Sequence, residues 1–436
     1  MFGSLGGLIA AFKLPDLRRR ILFVFLMFGV FIVGLHIPVP HIDRGALDKL
    51  FGAGGGLLGL FDVFSGGAFR KFSIFAMSIT PYINASIIFQ LLGIAVPRIA
   101  EIAKEGETGR RKLSQWTRYL TVALAMVQAG GLCMVLAGAG VVQARGFQIV
   151  PVIITLTAGT AFLMWMGEQI TDKGIGNGVS LVIFAGITVR IPVEVGATWT
   201  GAINHLPGYG LVNIGLLLAI WVGTIAAIIY MQQGQRRIPI QHAKRVVGNR
   251  VYGGTSTHLP IRVNTAGVIP IIFAISVALF PATLAQFASQ MPALSEVWKE
   301  RMTYLAGFMN PGTSPVASAG YFLLVVFFTY FYTAVTFNVP DVADNLKKGG
   351  AFIPGIRPGR PTATYLDRVL TRITLAGAIF LGIIALMSYY VPSITGVDSF
   401  TIVGGTSLLI LVGVALETMQ QIEAHLVMRQ YEGFIR

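Results

Sequence analysis

The stretch that decides the fold is Gly54–Val96, GGGLLGLFDVFSGGAFRKFSIFAMSITPYINASIIFQLLGIAV. It opens with three glycines, and the apolar piece at 57–64 that follows would be only about 12 Å long as a helix. The hydrocarbon core of a bilayer is about 30 Å thick, so this piece is too short to span it. The Ser-Gly-Gly break at 65–67 ends it, and the next apolar run, 72–96, is long enough to span.

Two interpretations of this arrangement are open. A short apolar helix between glycine hinges, next to a spanning segment that carries Pro81, Asn84 and Gln90, is what a movable stopper beside a pore requires. The same pattern also fits a re-entrant or interfacial segment beside an ordinary membrane helix. The stretch alone does not separate them.

Composition identifies the class of protein. The chain has 436 residues, of which 54% are hydrophobic and 12% are charged, whereas soluble domains carry about 25% charged residues. Long apolar segments without alternation predict spanning helices rather than a barrel. The sequence therefore predicts an all-α integral membrane protein. The arginines at 18–20 precede an apolar run as in a signal peptide, but no small-residue cleavage site follows, so we expect a retained first span.

We predict ten transmembrane helices, at 21–37, 72–96, 119–141, 149–170, 178–192, 211–231, 263–288, 319–339, 369–391 and 401–423. Most of the 33 lysines and arginines fall on the side of the membrane that holds both ends of the chain. Because positive charge accumulates on the inner side, both termini are expected in the cytoplasm.

The ten spans divide into two five-helix halves, predicted to be pseudo-symmetric. They are residues 1–192 and residues 211–436, joined by an external hinge loop at 193–210. The second span of each half carries a proline that we place near its centre, Pro81 and Pro270. Matching interruptions in two halves are typical of repeat architectures with a site at their interface, although two prolines could also coincide by chance.

Two cytoplasmic segments, 232–263 and 340–367, are long and basic. Alternating residues around Gly253-Gly254 predict a hairpin in the first. Clustered arginine attracts phosphate-rich or acidic partners. The alternative is that these loops show only the usual inward excess of positive charge.

The sequence lacks the common motifs for nucleotide binding, metal binding and catalysis. The chain has no nucleotide-binding Walker A pattern, no H-E-x-x-H and no G-x-S-x-G, and its six histidines have no ligand spacing. We therefore expect no enzyme activity, no metal and no cofactor. Glu168 and Glu417 are the acidic residues nearest the membrane interior. Each could be functional, or could lie at the interface or pair with a neighbouring base.

A series of ordered motifs resembles the SecY family, the channel subunits of bacterial SecYEG protein translocons. They are FSGGA at 64–68, PYINASIIFQLL at 81–92, KEGETGRRK at 104–112, MWMGEQITDKGIGNGVS at 164–180, STHLPIRVN at 256–264, AGVIP at 266–270, DNLKKGGAFIPGIRPG at 344–359 and GGTSLLI at 404–410. The resemblance implies a clamshell of ten helices around an hourglass pore, with 57–67 as a plug helix.

The resemblance also implies four groups of functional residues. A ring of apolar side chains at the pore waist is Ile79, Ile83, Val179, Ile183, Ile272 and Ile410. The plug residues are Leu57, Leu58, Leu60, Phe61, Asp62, Val63, Phe64, Ser65, Gly66 and Gly67. A lateral gate between the second and seventh spans carries Asn84, Gln90, Gln128 and Phe280. The residues that contact a ribosome or the SecA motor ATPase are Arg236, Arg237, Lys244, Arg245, Arg250 and Arg357.

The implied partners are the SecE and SecG subunits, SecA, ribosomes, signal sequences, nascent polypeptides and lipid, in the bacterial cytoplasmic membrane. Asp62 puts a charge in the plug, so we expect it to face a wet funnel or a hydrogen-bond partner. A secondary solute transporter is the main alternative, and it would need convergent polar or ionisable groups at mid-membrane. A membrane enzyme would need a catalytic constellation that the chain does not offer.

Overall fold

The computed structural model describes residues 12–43, 45–47, 65–138, 140–142, 146–204, 210–242, 245–247, 250–252, 256–289, 295–308, 312, 314–397 and 405–432. Residues 57–64 of the predicted plug, and Lys244 of the predicted contact surface, lie outside the described residues.

The described chain is mainly helical. Its helices are α1 (Pro15–Leu35), α2 (Thr80–Ala95), α3 (Pro97–Lys104), α4 (Glu107–Gly138), α5 (Ile149–Lys173), α6 (Gly178–Ile203), α7 (Leu211–Gln233), α8 (Ile269–Ser289), α9 (Glu296–Phe308), α10 (Pro315–Thr336), α11 (Val339–Lys348), α12 (Arg360–Thr395) and α13 (Gly405–Glu432). Its strands are β1 (Gln235–His242), β2 (Arg245–Val247), β3 (Arg250–Tyr252), β4 (Ser256–Arg262) and β5 (Ala351–Phe352).

The helices account for the predicted membrane spans. In the described part of the chain, seven helices are long and apolar enough to cross a membrane: α4, α5, α6, α7, α10, α12 and α13. Three further helices coincide with the remaining predicted spans. Of these, α1 is 21 residues long but carries three arginines near its start, at 18–20, and α2 and the first part of α8 are shorter apolar helices. The predicted all-α membrane fold is confirmed.

The predicted start of the second span is wrong. Residues 72–79 form turns, with positive φ angles at Phe72 (45°) and Ser78 (55°), and α2 begins only at Thr80. Pro81 is the cause, because its ring would clash with the carbonyl of residue 77 in a continuous helix, whereas a proline fits the first turn. Pro270 likewise lies in the first turn of α8. Both prolines therefore begin their helices instead of interrupting them at the centre.

The predicted end of the fifth span is also wrong. α6 continues through Pro192 to Ile203, so the helix covers much of the segment that we assigned to a hinge loop. α9, between the seventh and eighth spans, was not predicted at all, because its mixed charged and aromatic sequence lacks the long apolar run of a spanning helix.

Two groups of helices pack together. In the first, α4 packs on α2 and α5, and α1 packs on α5 and α6; in the second, α12 packs on α10, α13 and α7. The groups meet where α6 contacts α13 and where α8 contacts α2 and α4. One apolar cluster continues through both groups, from Phe31 through Ile183 and Ile275 to Ile410.

Candidate functional site

The six predicted ring residues all belong to the apolar cluster that continues through both groups of helices. Three of them, Ile79, Ile183 and Ile410, are buried, and Ile83, Val179 and Ile272 are partly buried and pack against the same cluster. They come from four helices: α6, α8, α13, and α2 together with the residue that precedes it. Side chains that are distant in sequence thus belong to one apolar cluster.

The two prolines help to place this region. Ile83 follows Pro81 by two residues, and Ile272 follows Pro270 by two, so each isoleucine lies in the first turn of its helix. Because the helix start is fixed by proline, the position of each isoleucine is fixed too. The sequence contained a signal for these two positions, because proline and isoleucine have the same spacing in both segments.

The C-terminal end of the predicted plug lies against α6. Gly66 has a φ of 68°, and a Cβ at this position would come within 2.6 Å of the Gly186 Cα. Ser65 Oγ accepts a hydrogen bond from the backbone N–H of Phe69 (3.0 Å) in a buried position. Gly186 is one helical turn from Ile183, so the segment 65–67 packs beside the ring region. Only glycine fits at 66, because of its left-handed backbone and the close contact together.

An ion pair follows on the same helix. Arg190 Nη2 lies 3.0 Å from Glu194 Oε1, and the two side chains are only 17% and 5% exposed. Arg190 also lies beside Gly67, with 3.9 Å between its Cγ and the position of a Cβ there. Our predicted site residues included neither Gly186 nor this pair. The spacing of arginine and glutamate four residues apart was the available signal.

The helices of the predicted lateral gate are in contact. α8 packs against both α2 and α4, which carry Asn84, Gln90 and Gln128. All three polar side chains are partly buried. Gln90 Nε2 donates to Ser86 Oγ (3.3 Å), so this bond stays within α2 and does not cross the seam. Phe280 lies on α8.

The two basic loops form one structure. β1 pairs with β4 in antiparallel fashion, and the residue pair Gln241–Phe352 joins β1 to β5 of the second loop. The apolar side chains of Ile238, Ile261 and Ile353 are buried beneath this sheet. Strand pairing within the first loop is confirmed, but the predicted turn at Gly253-Gly254 is wrong: the described strands on either side of it, β3 and β4, pair with β2 and β1 and not with each other. The link between the two loops was missed, because two residues of β5 give no strand pattern.

The predicted contact arginines lie on or near this sheet. Arg236 and Arg237 are exposed on β1, and Arg357 is exposed shortly after β5. Arg245 and Arg250 belong to β2 and β3, which form a separate two-stranded hairpin. Arginines from both loops are therefore held on a common folded support.

Glu168 forms an ion pair, as one of our two interpretations expected. Arg118 Nε donates to Glu168 Oε1 at 2.7 Å, which joins α4 to α5. Glu417 is exposed on α13. Within the described ranges, no group of three or more histidine, cysteine, aspartate or glutamate side chains could hold a metal ion.

Comparison with known proteins gives a consistent result. The model of the SecY family matches residues 73–419. The protein translocase subunit SecY of Streptomyces galbus is 46% identical over 440 residues, which cover 98% of each chain. A solved SecY chain is similar to this chain, with a TM-score of 0.64 and 18% identity, and the match covers 93% of this chain and 92% of that one. That structure comes from a study of how the SecY plug domain stabilises the closed state of the translocation channel and maintains a membrane seal. Sec61 in the canine ribosome–channel complex matches with a TM-score of 0.62 and 17% identity, covering 95% and 96%. The chain belongs to the SecY family.

Proposed function

We propose that the chain is the central subunit of a protein translocation channel. It forms a passive pore that conducts unfolded secretory polypeptides across the bacterial cytoplasmic membrane. The observation that carries this proposal is that six aliphatic side chains from both groups of helices belong to one apolar cluster. Since the sequence has no Walker A motif, the driving force comes from outside the chain.

The ring of Ile79, Ile83, Val179, Ile183, Ile272 and Ile410 is the barrier to ions and the seal around a moving chain. A constriction lined by aliphatic groups expels water, so an ion that entered would have to lose its hydration shell. Aliphatic groups also offer a passing polypeptide no charge or hydrogen bond that would retain particular sequences.

The segment 57–67 is a plug that closes the outer side of this ring. Its end is anchored where Gly66 packs on Gly186, beside the ring, and the plug domain of a related channel is described as maintaining a membrane seal. Asp62 faces water or a hydrogen-bond partner, because a charge in a dry cavity would be costly.

The seam where α8 meets α2 and α4 is a lateral gate that releases membrane segments into lipid. Asn84, Gln90, Gln128 and Phe280 line it. Partly buried polar side chains can exchange hydrogen-bond partners as the seam opens, which a fully apolar interface cannot do. The gate requires the halves 1–192 and 211–436 to move apart about the connection near 193–210.

The basic sheet formed by the two loops docks cytoplasmic partners. Arg236, Arg237, Lys244, Arg245, Arg250 and Arg357 contact ribosomal RNA or the SecA motor, which receive signal sequences and nascent chains. A related channel has been solved bound to a ribosome. SecE and SecG complete the complex, and both termini of the chain are cytoplasmic. The chain itself is not an enzyme.

A secondary transporter is the weaker candidate. Such a protein needs polar or ionisable groups converging at mid-membrane. In the described structure the side chains that α2, α6, α8 and α13 contribute to the predicted ring belong instead to an apolar cluster.

Crosslinking tests the proposal. A photoreactive amino acid is placed at Ile83, or at Leu323 on α10, which is 65% exposed on the outer surface of the chain. A secretory polypeptide stalled during translocation should crosslink to position 83 and not to position 323. Translocation that proceeds without a crosslink at 83, or at any other ring position, would contradict the proposed path.

A further inference from the structure

α9 has three distinct faces. At 100° per residue, Lys299 and Met302 lie on one face and are partly buried, and α9 packs against α8. Glu296, Glu300 and Thr303 lie on a second face, which is polar and exposed. The third face is the aromatic face, formed by Val297, Trp298, Arg301, Tyr304, Leu305 and Phe308.

The aromatic face is exposed. Trp298 is 52% exposed and Tyr304 is 73% exposed, although both side chains are large and mainly apolar. Its residues also contact each other: the Tyr304 and Phe308 rings are stacked with centroids 6.4 Å apart, and Arg301 Cζ lies 5.5 Å from the centre of the Trp298 ring. These contacts order the face without burying it. An ordered apolar face of this kind indicates a surface that is covered in the native environment.

The connections on either side keep α9 near the membrane. The segment 290–295 joins it to α8, and 309–314 joins it to α10, and each can extend at most about 25 Å. Both neighbours are membrane-spanning segments, and α9 itself packs on α8. The helix therefore lies at the edge of the bundle close to the level of the lipid headgroups.

We propose that α9 lies in the membrane–water interface of the outer leaflet, with its aromatic face in contact with phospholipid. Tryptophan, tyrosine and arginine together are the side chains that favour this layer, because each combines an apolar body with a polar tip. The three faces then have three environments: α8, water and lipid. The charges of Glu296, Lys299, Glu300 and Arg301 balance, so nothing on the helix selects a strongly charged protein.

This contact ties the outer end of α8 to the bilayer. Under the proposed function, α8 is a wall of the lateral gate, so the anchor would couple gate movement to the outer leaflet. That consequence rests on the proposed function, but the lipid contact does not.

Spin labels measure the contact directly. Cys133 is the single cysteine and is buried, so Cys133→Ala provides a background for Tyr304→Cys on the aromatic face and Glu300→Cys on the polar face. The full chain, with its copurifying subunits, is reconstituted into vesicles of phosphatidylethanolamine and phosphatidylglycerol. The label at 304 should collide mainly with oxygen dissolved in the lipid, and the label at 300 mainly with a water-soluble nickel complex.

A label at 304 that the nickel complex reaches as readily as at 300 would overturn the proposal. So would a label at 304 that is shielded from both reagents, because that result indicates a protein partner. Brominated phospholipid provides a test without cysteine variants: it should quench tryptophan emission in the unmodified chain more than in Trp298→Phe, and equal quenching counts against the contact. Neither result affects the crosslinking of a secretory chain at Ile83. Each of the two proposals can therefore be disproved without disproving the other.

Discussion

The Cα of Gly186 lies 2.6 Å from the position that a Cβ on Gly66 would occupy. The steric conflict applies to Gly66 and not to Gly186, because a Cβ on Gly186 would lie 3.5 Å from its nearest atoms in Gly66, an ordinary van der Waals distance. Gly66 is the next-to-last residue of the plug segment, and Gly186 lies on α6 near the ring. The contact therefore fixes where the proposed plug leaves the pore.

Gly66→Ala should loosen the plug. An alanine at 66 must adopt a left-handed backbone, at a cost of about 1–2 kcal/mol, and must also push the segment away from α6. We expect higher ion conductance of the reconstituted channel. Gly67→Ala is the matched control, because Gly67 also has a positive φ (83°) but its nearest atom would be 3.9 Å away. Equal conductance in the two variants would show that the Gly66 contact has no part in closure.

Deletion of residues 58–65 should leave a folded but leakier channel. The plug segment adds to closure, whereas the helices outside it hold the fold together. Detergent-solubilised protein should elute as a single species by size exclusion, and proteoliposomes should lose an ion gradient faster than those with the intact chain. Failure to fold, or a leak equal to that of the intact channel, would show that the plug assignment is wrong.

Gly159→Ala should destabilise the protein strongly. A Cβ at 159 on α5 would lie 1.9 Å from the backbone oxygen of Ile74, in the turn segment before α2. Backbone cannot move aside as a flexible side chain can, so a cost of about 1–3 kcal/mol or more is expected. Gly223→Ala on α7 is the control: nothing lies within 4 Å, and alanine favours a helix. Thermal unfolding in detergent should separate the two; equal midpoints would contradict the close packing of the 72–79 turns on α5.

A double variant with the charge reversed at both Arg237 and Arg357 should bind ribosomes more weakly. Because β1 and β5 join their loops in one sheet, the two exposed arginines belong to one support. Each lost phosphate contact should make the dependence of log affinity on log salt shallower by about 1. Arg110→Glu changes the same charge on an exposed residue of α4, outside the sheet. Binding that is insensitive to the double reversal, or falls equally with Arg110→Glu, would remove this role for the sheet.

Sequence patterns predicted the spans because membrane helices need long apolar runs. They failed at the helix ends where local geometry decides. The apolar run 72–96 gives no sign that residues 72–79 are non-helical; only the steric rule for Pro81 does. The end of the fifth span was placed at Pro192, yet α6 continues past it to Ile203. Within a bundle, neighbouring groups can accommodate a proline that would end an isolated helix.

The candidate site was predicted unevenly for a related reason. Ring residues such as Ile79 and Ile410 are ordinary apolar residues of membrane helices, so composition and spacing could not distinguish them from their neighbours. Only the resemblance to the family motifs identified them. Contacts between segments that are distant in the chain could not be predicted from the sequence. The approach of Gly66 to Gly186 and the pairing of Gln241 with Phe352 depend on the folded arrangement and leave no local pattern.

The central claim is that the aliphatic ring is the permeability barrier. Asparagine at Ile83 and Ile410 should wet the waist and lower the stability of the closed state, so that substrates with weak signal sequences pass more readily. Leucine at the same positions keeps both the apolar character and the volume of isoleucine, and it is the control. A difference between the two double variants therefore reports mainly on the polarity of the ring.

Conductance of the purified complex in planar bilayers tests this most directly. The asparagine double variant should show a higher resting ion current than the unmodified complex, and the difference should grow when residues 58–65 are also deleted. The leucine double variant should stay at the resting level. If the asparagine variant without the plug conducts no more than the plug deletion alone, the barrier lies elsewhere in the chain.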